Sequence, residues 1–397
     1  MAKHGSYKDS GVKWLGEIPS HWEVKKLRAF FDRRNQKVSD KDYAPLSVTK
    51  NGIVPQMENV AKSKDSDNRR LVKVGDFVIN SRSDRKGSSG VSQLEGSVSF
   101  VNTVMTPKLR ILPSFSNYLL KSSSFIEENY RNGHGIVADL WTTSFDEQKH
   151  IYLAVPPKEE QEAIVEYLDK VTSDIDKAIE AQQKLIDALN ERKQIIITNA
   201  VTKGLDSTVE LKYSGIDWLG QIPEDWEVAK VKNVVKITNG SDPKMQGLIP
   251  VYGSGSESFK TCGEYKEGPA VLLGRKGATL HIPHWIEGKY WNVDTAFDVK
   301  TISKKFILKY FYYISICFDY PRYISQTTLP SMTQTIYKNI VIPFPSIVDQ
   351  EKIVEYLDKK SEELNLSILN CEKMISLLQE RKQIIINDVV TGKKKVI

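Results

Sequence analysis

Gln161-Glu162-Ala163-Ile164-Val165-Glu166-Tyr167-Leu168-Asp169-Lys170 is written again 189 residues later, as Gln350-Glu351-Lys352-Ile353-Val354-Glu355-Tyr356-Leu357-Asp358-Lys359. The same offset carries Glu191-Arg192-Lys193-Gln194-Ile195-Ile196-Ile197 onto Glu380-Arg381-Lys382-Gln383-Ile384-Ile385-Ile386. From the first copy the apolar residues run Ile164, Leu168, Val171, Ile175, Ala178, Leu185, Leu189 and Ile196; the second gives Ile353, Leu357, Leu364, Cys371, Leu378 and Ile385. Steps of four and three are heptad spacing. Neither stretch contains glycine or proline before Gly204 and Gly392, and Pro156-Pro157 and Pro343 to Pro345 stand just ahead, where proline suits a helix start. The pattern predicts a helix over 160–203, roughly 65 Å long at 1.5 Å per residue. So narrow a seam needs a partner. The nearest is the other copy, which predicts an intramolecular antiparallel coiled coil; a homodimeric coil is the competing arrangement.

A second repeat lies outward of these helices. Ser10-Gly11-Val12-Lys13-Trp14-Leu15-Gly16-Glu17-Ile18-Pro19 recurs at an offset of 204 as Ser214-Gly215-Ile216-Asp217-Trp218-Leu219-Gly220-Gln221-Ile222-Pro223, and Trp22-Glu23-Val24 recurs as Trp226-Glu227-Val228. Each half therefore reads as a leading motif, a long variable block and a repeated helix. The division is 1–157, 158–204, 205–345 and 346–397. The blocks read as mixed α/β. Leu71 to Asn80 is a strand, a turn and a strand. Ser97 to Val101, Ala270 to Leu273 and Tyr290 to Val293 are further strands. Phe115 to Tyr130 and Lys305 to Phe318 are helices. The expected fold class is α+β, with two pseudo-symmetric α/β domains separated by the two long helices.

Composition narrows the function. The chain has 397 residues, 40% of them hydrophobic and 27% charged, which fits folded domains rather than disorder. No apolar run reaches the ~18 residues of a membrane span. The first residues, Met1-Ala2-Lys3-His4-Gly5, hold no apolar signal core, so the expected compartment is the cytoplasm. Three scattered cysteines make no disulfide framework and no CxxC. The net charge of +6 is unevenly spread. Residues 25–155 and 229–345 each carry +7, whereas 158–203 and 347–387 carry −3 and −2. Two basic blocks of this size point to a polyanion.

Signatures of catalysis are missing. Gly253-Ser254-Gly255-Ser256 lacks the third glycine of a dinucleotide fingerprint, and no phosphate-binding GxxxxGK[ST] occurs. Val155-Pro156-Pro157-Lys158 has the wrong flanks for an amino-methyltransferase site. His281 and His284 lack neighbouring cysteine or carboxylate ligands, so no metal is expected. Asp76 and Asp294 stand near strand ends without an acid–base partner in sequence. The loops instead offer guanidinium, amide, ammonium and hydroxyl groups, which hold phosphates and read base edges. The candidates are Lys50, Asn51, Arg82, Ser83, Arg85 and Lys86 in the first block. In the second they are Asn239, Lys244, Arg275, Lys276, Arg322 and Gln326, with Arg275-Lys276 corresponding to the Arg82 loop.

The doubled Gly-x-x-Trp-Leu-Gly-x-Ile-Pro-x-x-Trp-Glu-Val motif, the Gln-Glu-x-Ile-Val-x-x-Leu-Asp helix starts and the Glu-Arg-Lys-Gln-x-Ile-Ile helix ends resemble the specificity subunit of type I restriction-modification systems. The resemblance covers essentially the whole chain. It implies that each variable block is a target recognition domain and that the repeated helices are the spacer. It further implies a bipartite asymmetric site on double-stranded DNA, one half-site per recognition domain. Two methyltransferase subunits and restriction subunits would use S-adenosylmethionine, ATP and Mg, while this chain binds no cofactor and catalyses nothing. The alternatives are the recognition subunit of a modification-only system and a stand-alone coiled-coil DNA-binding protein. A spacer fixes the separation and phase of two readers along a duplex that repeats every ~34–36 Å. Inserting four residues near Leu205 should therefore change the gap recognised and leave both half-sites intact; methylation mapping that returned altered half-site bases would contradict the ruler.

Overall fold

The computed structural model describes residues 3–56, 67–136, 141–325 and 329–396, apart from the side chain of Ser83. The chain forms two compact units, Met1–Gln182 with Lys373–Ile397, and Gln183–Glu372.

In the first unit the leading motif is an antiparallel hairpin, Tyr7–Asp9 against Glu17–Pro19, with Tyr7 opposite Pro19. A four-stranded antiparallel sheet follows, in the spatial order Ser89–Val91, Phe77–Asn80, Asn102–Pro107, Phe31–Arg33. Numbered along the chain within the sheet, that order is 3-2-4-1. Beside it stand a three-stranded sheet, Gly96–Ser99, Arg69–Val72 and Lys37–Val38, and the ribbon Leu46–Thr49 with Gly52–Pro55. Leu71 to Asn80 is indeed strand, turn and strand, but its two strands enter different sheets. The turn is pinned by buried Asp76. Its carboxylate accepts from Arg34 at 2.6 and 3.0 Å, from Thr106 Oγ1 at 3.0 Å and from the Lys73 amide at 2.8 Å. The bond to Asp76 raises the Arg34 pKa. Asp76 is thus a structural anchor.

The second unit repeats the scheme. Leu211–Tyr213 pairs with Gln221–Pro223, and a four-stranded antiparallel sheet has the order His284–Ile286, Ala270–Gly274, Ala296–Thr301, Val235–Asn239. That order is again 3-2-4-1. The accompanying sheet differs: Lys260–Cys262, Ile249–Tyr252, Lys289–Asn292 and Lys266–Glu267, with a parallel pairing of Val251 to Trp291. The expected helix over Phe115 to Tyr130 is two helices, Pro113–Leu120 and Ser123–Arg131. Ser122 divides them because its hydroxyl accepts from the Phe125 amide and caps the second. The counterpart in the second unit is Leu308–Ile316.

The long helices span Lys158–Lys203 and Ile347–Val390. In the first unit Lys382 Nζ donates to both oxygens of Asp176 at 2.7 Å; in the second, Lys193 Nζ donates to Asn365 Oδ1 at 2.8 Å. Each contact joins the start of one long helix to the end of the other within its own unit, as antiparallel pairing requires. Ile164, Leu168, Ile175, Ile385, Ile386, Val389 and Val390 join the core of the first unit; Ile197, Ala200, Val201, Ile353 and Leu357 join that of the second.

The period of the buried seam is not the heptad. The seam of the first helix runs 164, 168, 171, 175, 179, 182, 186, 189, 193, 197, 200, none of them exposed. Ten steps over 36 residues average 3.6, the undistorted helical period, rather than the 3.5 of a supercoiled heptad. The two frames part after four turns. Leu185, expected on the seam, is 45% exposed, and Ile186 takes its place at 7%. Val171, Leu189, Leu364 and Leu378 are half-buried.

The repeated glutamine explains itself. Gln161 is fully buried at the helix start; its Oε1 accepts from the Leu112 amide at 2.8 Å, and its Nε2 donates to the carbonyls of Arg110 and Pro156 at 3.0 and 2.9 Å. Gln350, equally buried, accepts from the Ile307 amide at 2.8 Å and donates to Lys305 and Pro345 at 3.0 Å each. Two turns on, the Tyr118 hydroxyl donates to Asp169 at 2.6 Å and that of Tyr313 to Asp358 at 2.5 Å. Burial, with the Asp169 bond second, pushes the Tyr118 hydroxyl up to about 12. At the far helix ends Gly204 and Gly392 both have φ +75°, the left-handed turn that glycine favours. A Cβ on Gly204 would lie 3.2 Å from the Trp226 ring, and one on Gly392 would lie 3.3 Å from that of Trp22. Each leading-motif tryptophan therefore caps a helix end in its own unit. Among the described residues no helix is long and apolar enough to cross a membrane.

The seam assignment has a direct test. Ile186→Ala should destabilise by about 2–5 kcal/mol, as for a buried aliphatic truncation, whereas Leu185→Ala should stay within about 0.5 kcal/mol. Urea unfolding followed by helical circular dichroism separates the two.

Candidate nucleic-acid interface

The first unit gathers its candidate loop at the end of strand Phe77–Asn80. The Arg82 amide donates to Asn80 Oδ1 at 3.0 Å, which turns the chain sharply out of the sheet. Arg82 then forms an isolated antiparallel bridge with Thr142, and Thr142 bridges back to His134. The Thr143 amide donates to the Ser81 carbonyl at 2.9 Å. A segment sixty residues distant in sequence is thereby stitched beside Arg82. The Arg82 side chain is exposed and has no ion-pair partner among the described residues.

Its neighbours differ. Arg85 is exposed and lies 3.5 Å from Asp84. Ser83 opens the single turn Ser83–Arg85. Lys86 is committed to the protein: its Nζ is 2.7 Å from Glu127 and 4.5 Å from the Tyr130 ring centroid. Tyr130 lies against Trp141, whose Nε1 donates to the Tyr130 carbonyl at 2.9 Å. Lys50 and Asn51 are exposed at the turn of the ribbon Leu46–Pro55, held by the Asn51 amide on Thr49 Oγ1 and by Lys121 Nζ on the Lys50 carbonyl. Burial lowers the Lys121 pKa.

In the second unit the corresponding strand, Ala270–Gly274, ends at Arg275-Lys276. Lys276 bridges Ser331, which bridges Ser325, so Lys276 occupies the position that Arg82 holds in the first unit. Arg275 is half-buried; its Nη1 donates to the Asp294 carbonyl at 3.3 Å and lies 3.9 Å from the Asp294 carboxylate. Its guanidinium stands 6.0 Å over the Phe297 ring. Asp294 thus orients an arginine rather than serving as a base. Gly277 (φ +111°) and Ser254 also approach here, since a Cβ on Gly277 would lie 3.1 Å from Ser254 Oγ. The glycine-serine run 253–256 therefore belongs to this loop cluster. His284 is buried with Nε2 3.2 Å from the Ser254 carbonyl, and burial lowers its pKa.

The remaining candidates are dispersed. Asn239 is exposed at the end of strand Val235–Asn239. Lys244 is exposed beside the second sheet, where its amide donates to Glu264 at 2.8 Å. Arg322 lies 3.3 Å from Asp217 of the leading hairpin's turn, so it serves the frame instead of the Arg275 loop. Gln326 lies outside the described residues. Sequence reasoning passed over Thr142, Trp141, Ser254 and Ser331, because each reaches its loop through pairing across the fold and carries no local signal.

The family model for the type I restriction modification DNA specificity domain matches twice, over residues 19–185 and 223–370. Among curated proteins, the type I restriction enzyme MjaVIII specificity subunit of Methanocaldococcus jannaschii is 27% identical over 279 residues, 62% of this chain and 63% of that protein. A protein of the same organism named for the MjaX specificity subunit is 28% identical over 267 residues, 60% of this chain and 59% of its own. The alignments thus span about three-fifths of those relatives. Among solved structures, a chain from a study of complex assembly and conformational transition of the type I R-M system superposes with a TM-score of 0.72 at 14% identity, covering 94% of this chain and 98% of that one. The HsdS subunit from Thermoanaerobacter tengcongensis gives 0.52 at 16% identity, covering 98% and 100%. Both show a common fold. With its two-fold match across most of its length, the chain belongs to the type I restriction-modification DNA specificity family.

Proposed function

We propose that this chain reads a bipartite, asymmetric site on double-stranded DNA, one half-site per unit, and leaves the chemistry to its partners. One observation carries the reading: both units build the same 3-2-4-1 sheet with a loop at the same strand end, yet carry unlike second sheets and unlike loop residues. A shared frame holds two readers in equivalent poses; different side chains give them different targets. Arg82 is the free bidentate donor of the first unit. Arg275, oriented by Asp294, is that of the second, with Lys276 for phosphate. Each recognition block carries +7, which favours a polyanion.

The partners are two methyltransferase subunits, using S-adenosylmethionine, and restriction subunits, using ATP and Mg. A doubled surface supports the number two. Leu185 and Ile195 are exposed in one unit; the residues 189 later, Met374 and Ile384, are exposed in the other, at 45%, 52%, 46% and 49%. Apolar side chains exposed at the same places in both repeats favour a partner that is itself repeated. The reaction's cofactors belong to those partners, and the compartment is the one that holds the DNA, the cytoplasm.

The reading predicts that host DNA carries a two-part methylated motif only when this gene is present, as single-molecule methylation sequencing would reveal; an unchanged methylome in a host expressing the methyltransferase would overturn it. Arg82→Ala and Arg275→Ala should relax different half-sites, each by about 1–3 kcal/mol. Lys86→Ala, which removes a side chain already paired with Glu127, should leave the base preference unaltered. Uniform weakening by both arginine variants would make them phosphate clamps.

A further inference from the structure

Three segments far apart in sequence bring metal-ligating side chains together in the first unit. His4 precedes the leading hairpin, His21 follows it, and Glu160 lies in the first turn of the long helix. Their donor atoms all lie within 4.8 Å of one another. His21 Nε2 is 2.7 Å from Glu160 Oε2, and His4 Nδ1 is 3.8 Å from Glu160 Oε1. The His4 side chain is 5% exposed, yet no hydrogen bond to either of its ring nitrogens occurs among the described residues. The imidazole is largely buried with its Nδ1 3.8 Å from a carboxylate oxygen, beyond hydrogen-bond reach, and a metal ion held by both would turn that approach into two direct bonds.

The pseudo-symmetry supplies an independent control. The corresponding residues of the second unit are Thr208, Asp225 and Asp349. Asp225 and Asp349 there line one shallow cleft with Asp206 and Lys352. That unit builds the same hairpin, the same capping tryptophan and the same helix start with no histidine at the two equivalent positions. The frame therefore does not require His4 or His21, and their convergence on Glu160 needs another reason.

We propose that His4, His21 and Glu160 form a divalent transition-metal site, of the chemistry that zinc fills, which clamps the chain's first residues to the start of the long helix. Two imidazoles and one carboxylate are a borderline donor set suited to zinc, with the fourth tetrahedral position left to water. Around one such ion the donors would stand roughly 3.3 Å apart, so the 3.8 Å approach of His4 to Glu160 would tighten and the 2.7 Å contact of His21 would open to admit the ion. His21, whose side chain is 51% exposed, has the freedom to make that adjustment. The clamp would bind more than the three ligands. His4 packs edge-on to Tyr7 and Trp22, and the Tyr7 hydroxyl donates to the Lys393 carbonyl, so the chain's last segment is held at the same place. Lys395 acts on His4 with a positive charge and opposes the ion; Glu160 offsets it.

The experiment uses the full chain, stripped with a chelator and titrated with Zn2+ by calorimetry, with Co2+ absorption reporting tetrahedral coordination. We expect one ion per chain, and a loss of roughly tenfold or more in affinity for His21→Gln and for Glu160→Gln, at least the effect of losing a supporting partner. Thermal unfolding should rise with Zn2+ for the unaltered chain and not for His21→Gln. His21 is exposed, so its variant folds even where His4→Gln does not. His281→Gln serves as the control and should bind as the unaltered chain does. Equal Zn2+ binding by the unaltered chain and His21→Gln, or the absence of binding, would overturn the site. Neither outcome bears on DNA recognition, which the methylation experiment tests separately.

Discussion

The apolar seams of two long helices govern this molecule. A helix of 46 residues with one apolar stripe is not stable as an isolated element in water. In each unit it is covered by the opposite end of its own sequence repeat. The first unit takes the start of one helix and the end of the other, and the second unit takes the complement. Everything attached to the helices inherits this arrangement. The buried amides of Gln161 and Gln350 tie each recognition block to a helix start. Trp22 and Trp226 cap the helix ends against glycines whose positive φ excludes most other residues. The first unit is thus closed by segments from both ends of the chain.

On this frame, the proposed DNA-binding chemistry falls on a few loop positions. Positive charge by itself does not define them. Lys86, Arg34 and Arg322 are each held by a carboxylate, and Arg69 is buried with its guanidinium on Ser97. What distinguishes Arg82 is that it leaves the sheet at a strand end, bridged to a distant segment and without an ion-pair partner among the described residues. Arg275 is held differently, by Asp294 and over Phe297, and a guanidinium fixed in this way loses little freedom when it forms two parallel hydrogen bonds. The equivalence of Lys276 with Arg82 shows how a shared backbone can present unlike chemistry at one place.

Much of the frame was legible beforehand. Both leading motifs and both helices follow from the repeats, and their intramolecular antiparallel pairing is one of the two arrangements that the repeats allow. Gln161 and Gln350 stood in the repeated stretch, although their buried role needed the coordinates. The heptad reading went astray at Leu185, since 3.5 and 3.6 residues per turn differ too little to separate over a few turns and diverge only over the full helix. The helix expected over Phe115 to Tyr130 is split by a serine cap, a local competition for backbone hydrogen bonds that apolar spacing does not register. The convergence of His4 and His21 on Glu160 was invisible, because the two histidines lie 17 residues apart and the carboxylate lies 139 residues further on.

The amino-acid order alone determined that the chain is doubled, that each of two long helices needs a partner for its apolar seam and that two basic blocks accompany them. These follow from periodicity and repetition, which are local properties of a chain. The tertiary structure decided which strands share a sheet, which seam residue is buried, which basic side chains are already paired, and which remote segments meet beside Arg82, Lys276 and Glu160. Those outcomes depend on contacts between residues tens to hundreds of positions apart, and no pattern along the chain encodes such distances.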